Sequence, residues 1–296
     1  MRLTRLLALC SGLLFSHVVI AGEALPQRWV SAGGSLSEWV VALGGESRLV
    51  GVDSTSLYPQ SLRSLPGIGY QRALAAEGIL ALRPDILLGS EEMGPPPVLA
   101  QIKAAGVQIE QLSAKPTLPT LEHNLTRLGQ LLGVEAQAAT LIADYRQRLQ
   151  QQAARVSAAQ AKQPAPRVLM LLGHVGNGPM AAGQDTLAAW MIEQAGGRNL
   201  TEHNGYKAIS SEALLALDPE VVIIADRRLE GDAARAAMLE QNPALAQTSA
   251  AKNGRLLSLD PTLLVGGLGP RLPDGLAVLC AAFYPAAQAL TAEASR

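Results

Sequence analysis

GYQRALAAEGILALRPDILLGSEE (residues 69–92) and GYKAISSEALLALDPEVVIIADRR (residues 205–228) are two renderings of one plan. Each opens on Gly-Tyr, sets a glutamate at the head of an apolar helical stretch, passes through Ala-Leu-x-Pro to an acid, and ends in an aliphatic strand. The offset is 136 between Tyr70 and Tyr206, and 135 both between Glu77 and Glu212 and between Pro84 and Pro219. The single slip is a change in loop length. A unit used twice predicts two lobes of the same local plan, with the tyrosines at comparable rims and the glutamates at comparable helix starts.

Strand and helix alternate outward from both copies. RWVSAGG (28–34), RLVGVD (48–53), DILLGS (85–90) and VQIEQL (107–112) read as strands. SLSEWVVALG (35–44), AAEGILALRP (75–84) and PPPVLAQIKAAG (95–106) read as the helices between them. Ser35 is the expected N-cap of the first helix, with Glu38 completing a capping box. After residue 164 the alternation resumes with strands RVLMLLG (167–173), EVVIIAD (220–226) and RLLSLD (255–260), and with helices DTLAAWMIEQAG (185–196), EALLALDP (212–219) and PDGLAVLCAAFY (273–284). Strands separated by helices imply mostly parallel sheets covered on both faces. Between the two series, residues 120–162 hold no proline, and LIADYRQRLQQQAARVSAAQAK (141–162) is rich in Ala, Gln, Leu and Arg. That composition predicts a helix-turn-helix whose second member is long enough to bridge two bodies. The expected architecture is therefore α/β: one lobe over residues 22–115, a helical connector over 116–164, a second lobe over 165–296, and a cleft between the lobes.

The first 24 residues, MRLTRLLALCSGLLFSHVVIAGEA, carry Arg2 and Arg5, an apolar run from Leu6 to Ile20, and small residues at Ala21 and Gly22. This is the pattern of a secretory signal peptide, expected over residues 1–21. A permanent anchor is disfavoured because the apolar part is shorter than the roughly 20 residues that span a bilayer. Cys10 would leave with the leader, so the mature chain would keep only Cys280 and no internal disulfide, and its core must hold it. Removing Arg2 and Arg5 from 24 basic residues against 25 acidic ones gives 24 − 2 − 25 = −3. Such a balance argues against a nucleic-acid partner.

Catalytic signatures are absent. No H-E-x-x-H, C-x-x-C or G-x-S-x-G pattern occurs, and GHVGNG (173–178) lacks the glycine spacing of a dinucleotide loop and the lysine of a P-loop. No enzyme is expected. With aromatic residues at only 3%, each tyrosine calls for an explanation. Tyr70 lies between Gly67, Gly69 and Arg72, in a loop. The bland account is a half-buried ring whose hydroxyl meets a carbonyl. The sharper one is an oxygen donor: a phenolate suits Fe(III), and tyrosine is one of the protein ligands to haem iron. Taking a phenol from a pKa of about 10 to below neutrality needs roughly 4 kcal/mol, which a ferric ion and a nearby guanidinium would supply together.

RWVSAGGSLSEWVVALG, RLVGVDSTSLYP, LPGIGYQRALAAEGILALRPDILLGSEEMGPPPVL and HVGNGPMAAGQDTLAAWMIEQAGG closely resemble the periplasmic haem-binding proteins of bacterial haem ABC importers, from Arg28 to nearly the end of the chain. These are class III substrate-binding proteins, two α/β lobes joined by one long backbone helix. The resemblance implies ferric haem as the transported ligand and Tyr70 as axial ligand to its iron, with Arg72 hydrogen-bonded to the phenolate. It also implies an arginine against the haem after the strand EVVIIAD, either Arg227 or Arg228. His174 follows the buried strand RVLMLLG and is open to three roles: iron ligand, ligand to a second stacked haem, or plain loop residue. Tyr206 could cap the second lobe's rim or act as a reserve oxygen donor, but its neighbour is Lys207 and the arginine is missing, so it is expected to be structural or a pocket wall. Glu77 and Glu212 would dock the permease, although as isolated residues they are ordinary acids at helix starts.

The expected function is thus that of a monomeric periplasmic carrier. It would receive haem, with an outer-membrane haem receptor as upstream donor, and hand it to an inner-membrane ABC permease and its ATPase. The competing readings are a cobalamin or ferric-siderophore carrier of the same superfamily and, from another class, an exported tetrapyrrole-modifying enzyme.

Overall fold

In the computed structural model of the chain, residues 25–173, 178–226 and 228–285 are described. The expected leader, His174 and Arg227 lie outside them. The first lobe comprises β1 (Trp29–Ala32), α1 (Gly34–Ala42), β2 (Leu49–Val52), α2 (Ala76–Ala81), β3 (Ile86–Ser90), α3 (Pro96–Ala104) and β4 (Gln108–Leu112). Its sheet runs β2-β1-β3-β4 with every pairing parallel. β1 and β3 are buried along their whole length, as a parallel strand covered on both faces must be. Alternate residues serve alternate cores. Trp29, Ile86 and Leu88 face the main core with α1, while Val30 and Leu87 pack with Ile79 and Ile102 of α2 and α3.

The connector is α4 (Leu118–Leu132) and α5 (Glu135–Gln160). Thr117 caps α4 by accepting the Thr120 N–H, and Gly133, at φ 72°, ends it in the left-handed conformation. The 26 residues of α5 span about 39 Å. Its buried residues Ala138, Tyr145, Gln152 and Ala159 recur every seventh position, so they form one stripe. Tyr145 meets Trp39 of α1 at 5.8 Å between ring centroids. Further along, Gln152 donates to the Leu276 carbonyl at 3.3 Å, so one helix packs on both bodies.

The second lobe contains β5 (Arg167–Gly173), β6 (Met180–Ala182), α6 (Leu187–Gln194), β7 (Arg198–Asn199), β8 (Tyr206–Ala208), α7 (Ser211–Leu217), β9 (Val221–Asp226), α8 (Gly231–Gln241), α9 (Ser249–Lys252), β10 (Leu256–Leu259) and α10 (Leu272–Phe283). Its sheet runs β10-β9-β5-β6-β8, with β7 beside β5. The β10-β9-β5 core and β7 are parallel, whereas β6 and β8 return antiparallel. The antiparallel pair is absent from the sequence reading because three-residue strands carry no periodicity to detect.

Both copies of the repeat fold alike in their cores. Gly69 and Gly205 take φ of 84° and 69°, and among the described residues the only non-glycine positions with positive φ are Arg83 and Asp218, at 48° and 37°. These two also differ by 135 and turn the chain from helix into strand at matching points. The copies diverge at the tyrosines. Tyr70 stays in an irregular loop, while Tyr206 joins β8 opposite Ala182.

One local expectation is corrected. Helix α1 has Gly33 as N-cap and no side-chain cap. Its first donors are taken by tertiary partners: Gly33 N–H by Asp53, Gly34 N–H by the Thr55 hydroxyl and Ser35 N–H by the Val265 carbonyl. With the helix start satisfied, Ser35 and Glu38 are released to bind the second lobe, at Gly267 O and Arg271 respectively.

Candidate functional site

Parallel strands deliver their carboxyl ends to one edge of a sheet, where open α/β folds bind ligands. Here both lobes turn that edge toward the same cavity, of about 510 Å³, which lies in the range of small-molecule sites. Val52 and Asp53 at the end of β2 face Asp226 and Arg228 at the end of β9, and Asp260 and Thr262 just after β10. Tyr58 and Arg63 come from the loop after β2.

The buried carboxylates are structural struts of this cleft. Asp53, 2% exposed, accepts from Gly33 N–H, the Thr55 hydroxyl and the Ser56 hydroxyl at 2.7–3.0 Å. Asp226 accepts from the backbone N–H groups of Arg228 and Leu229 at 2.8 and 3.0 Å, which sets the course of the chain after β9. Gly173 must be glycine at this packing, because a Cβ there would lie 2.3 Å from Asp226 Oδ2.

Next to the cavity-lining residues Tyr58, Asp260 and Thr262, Arg271 joins the lobes. Its Nε and Nη2 hold the two Glu38 oxygens at 2.9 and 2.5 Å, Nη1 holds Asp260 at 2.7 Å, and Nη2 also reaches the Thr262 hydroxyl at 2.8 Å. Its guanidinium carbon stands 4.3 Å from the centroid of the Tyr58 ring. Burial pushes the Glu38 carboxyl above its usual value despite the hydrogen bond and charge of Arg271. Burial acts upward on Asp260 too, but the bonds from Thr262 and Arg271 outweigh it and hold Asp260 below its usual value.

The residues singled out in the sequence fall as follows. Tyr70 is half-buried after the left-handed Gly69. Arg72 is exposed and gives its hydrogen bond to Glu92 at 2.5 Å, and Gln71 donates to the same carboxylate at 3.2 Å. Burial pulls the Arg72 guanidinium down, but the bond and charge of Glu92, together with the charges of the Tyr70 and Tyr206 phenols, more than offset it, and its pKa lies above the usual value. The charges of one tyrosine from each lobe therefore act on Arg72. Arg228 lines the cavity and is exposed. Glu77 and Glu212 are exposed in the first turns of α2 and α7. The Glu212 carboxylate is held below its usual range by its own backbone N–H and then by the Ser210 hydroxyl; α2 has no such side-chain cap. His174 and Arg227, expected at this cleft, lie outside the described residues. Sequence reasoning missed Glu92, Arg271 and Tyr58. The doubled acid ending the first repeat was a signal for Glu92, and nothing local marked the other two.

The family model described as periplasmic binding protein matches residues 30–263. A periplasmic haem-binding protein from Pseudomonas aeruginosa is 67% identical, over 88% of this chain and 94% of that one, with a TM-score of 0.86. A periplasmic haem-binding protein from Roseiflexus sp. RS-1, in its apo form, is 36% identical over 88% of this chain and 99% of that one, with a TM-score of 0.80. A cobalamin-binding protein of Halobacterium salinarum is 26% identical over 91% of this chain and 72% of its own length. With two α/β lobes, a long bridging helix and a cleft at their facing strand ends, the chain belongs to the periplasmic binding protein family, as a class III substrate-binding transport protein closely related to those that bind haem.

Proposed function

We propose that this protein captures ferric haem in the cleft between its lobes and delivers it, as a monomer, to an inner-membrane ABC permease and its ATPase. The observation that carries the reading is the 67% identity, over 88% of this chain, to a protein described as binding haem. Of the residues assigned to the haem, Arg228 lines the inter-lobe cavity, whereas Tyr70, Arg72 and Tyr206 are not among the residues that line it. Tyr70 supplies the phenolate donor to iron, with Arg72 as the hydrogen-bond donor to it. Arg228, which lines the inter-lobe cavity, would pair with an anionic propionate. Arg227 and His174 would add a second cation and a second donor. Tyr206 would serve as part of the pocket wall in the second lobe. Glu77 and Glu212 form the docking acids for the permease, and an outer-membrane receptor supplies the haem.

The test is a visible-absorption titration of the mature protein with ferric haem, alongside Tyr70→Ala and His174→Ala. A saturable high-spin tyrosinate spectrum that disappears with Tyr70→Ala is expected. A residual spectrum lost only with His174→Ala would assign a second ligand or haem. The relationship to cobalamin-binding proteins supports a second reading, cobalamin as cargo. Under that reading wild type would show no saturable haem spectrum, and Tyr70→Ala would leave cobalamin uptake unchanged.

A further inference from the structure

Five tyrosines are present in the chain. Tyr145 and Tyr284 are each 1% exposed and belong to the core. Tyr70 and Tyr206 are half-buried near Arg72. Tyr58 is different: it is 50% exposed, its neighbour Leu57 is 41% exposed, and both line the inter-lobe cavity. Single exposed apolar residues need no explanation, but an aromatic and a leucine side by side on a cavity wall do. The Tyr58 ring is also held in place. Arg271 lies 4.3 Å from its centroid, and that guanidinium is itself fixed by Glu38, Asp260 and Thr262. The loop beneath is tied by Arg63 Nε, which donates to the Leu57 carbonyl at 3.1 Å.

We propose that Tyr58 is a positioning and specificity residue: a pre-set aromatic platform, flanked by Leu57, that stacks against the conjugated plane of the cargo. The identity of that plane as a porphyrin rests on the haem reading above. A cation behind one face draws the ring's π density toward itself. The face turned to the cavity is then poorer in electrons and better suited to an electron-rich macrocycle than to a second cation or a saturated ligand. This contact does not involve the metal. It therefore predicts binding of the ring system even where the iron–tyrosinate bond is missing.

The experiment uses two probes, ferric haem and iron-free protoporphyrin, titrated into wild type, Tyr58→Leu, Tyr58→Phe, Tyr58→Trp and Tyr70→Ala. Ligand-free melting curves check that each variant is folded, and Tyr58→Phe and Tyr58→Trp keep the ring should Tyr58→Leu fail to fold. Tyr58→Leu is expected to weaken protoporphyrin by about three- to twelvefold, the range of an aromatic stacking contact. Its haem spectrum should keep the tyrosinate form. Tyr58→Phe and Tyr58→Trp should bind protoporphyrin within about twofold of wild type, and Tyr70→Ala should lose haem but keep protoporphyrin. The platform is overturned, with the haem carrier intact, if wild type binds both probes and Tyr58→Leu binds protoporphyrin as wild type does, or if Tyr58→Phe is as weak as Tyr58→Leu. A wild type that takes up neither probe overturns both proposals together.

Discussion

Replacing Arg271 with alanine removes in one step the cation that clamps the lobes. Glu38, 5% exposed, then loses both of its hydrogen bonds to Arg271 and its counter-charge. An ion left buried without its partner costs about 3–5 kcal/mol. Protonation offers a bounded alternative: raising the carboxyl from its usual 4.5 to neutrality costs about 3.4 kcal/mol at pH 7, at about 1.4 kcal/mol per pH unit. The lost contact with the Tyr58 ring adds about 0.5–1 kcal/mol. The expected destabilisation at pH 7 is therefore about 4 kcal/mol, or about 8–16 °C in Tm for a chain of this size.

The pH dependence carries the signature of this mechanism. A carboxyl whose folded pKa is raised contributes stability below its unfolded pKa and loses it as pH rises through the folded value. In the variant Glu38 is raised further than in wild type, so the variant recovers stability as pH falls from 7 toward 5. Asp260 acts in the same direction on the difference. Its lowered pKa stabilises wild type above about pH 4 and is lost in acid, and the variant has less of that to lose. The gap between the two proteins must narrow on acidification, and Glu38→Gln in the Arg271→Ala background must flatten it. Far-UV circular dichroism melts of the ligand-free chains at pH 5, 6 and 7 measure this. An Arg271→Ala Tm within about 2 °C of wild type at pH 7, or a penalty that does not change with pH, would refute the reasoning.

Gly173→Ala puts a methyl group against Asp226 Oδ2 and is expected to cost about 1–3 kcal/mol, read as a lowered midpoint in urea unfolding. Glu92→Gln breaks an exposed pair, with Arg72 55% exposed, so stability should change by less than about 1 kcal/mol. Because the guanidinium is then free to turn to Tyr70, ferric-haem affinity should rise about fivefold, the net worth of one ordinary hydrogen bond of about 1 kcal/mol, in the same spectral titration. Glu77→Lys and Glu212→Lys should leave haem affinity unchanged while abolishing haem-dependent stimulation of the partner ATPase in reconstituted vesicles. An altered haem titration would place these acids at the cleft instead.

The sequence alone determined the alternation of strand and helix, the duplicated Gly-Tyr…Glu…Pro unit and the long connector, because each is written in a period or an offset that neighbouring residues share. Arg83 and Asp218 adopting the same left-handed turn 135 residues apart shows how much backbone geometry that repeat encodes. Tyr70 stands out as a candidate for a related reason, since glycines around an aromatic beside an arginine are a local pattern. What the sequence misread was the start of α1. Ser35 and Glu38 have the spacing of a capping box, yet their partners, Gly267 and Arg271, lie 232 and 233 residues away. Only packing one lobe on the other brings those groups within 3.3 Å. The same holds for Tyr58, which nothing in its surroundings marks until the fold sets Arg271 against its ring. Local periodicity reports which face of an element is buried. It carries no information about which distant charge will neutralise a buried acid, because that choice is made by the tertiary packing of residues that share no window of sequence.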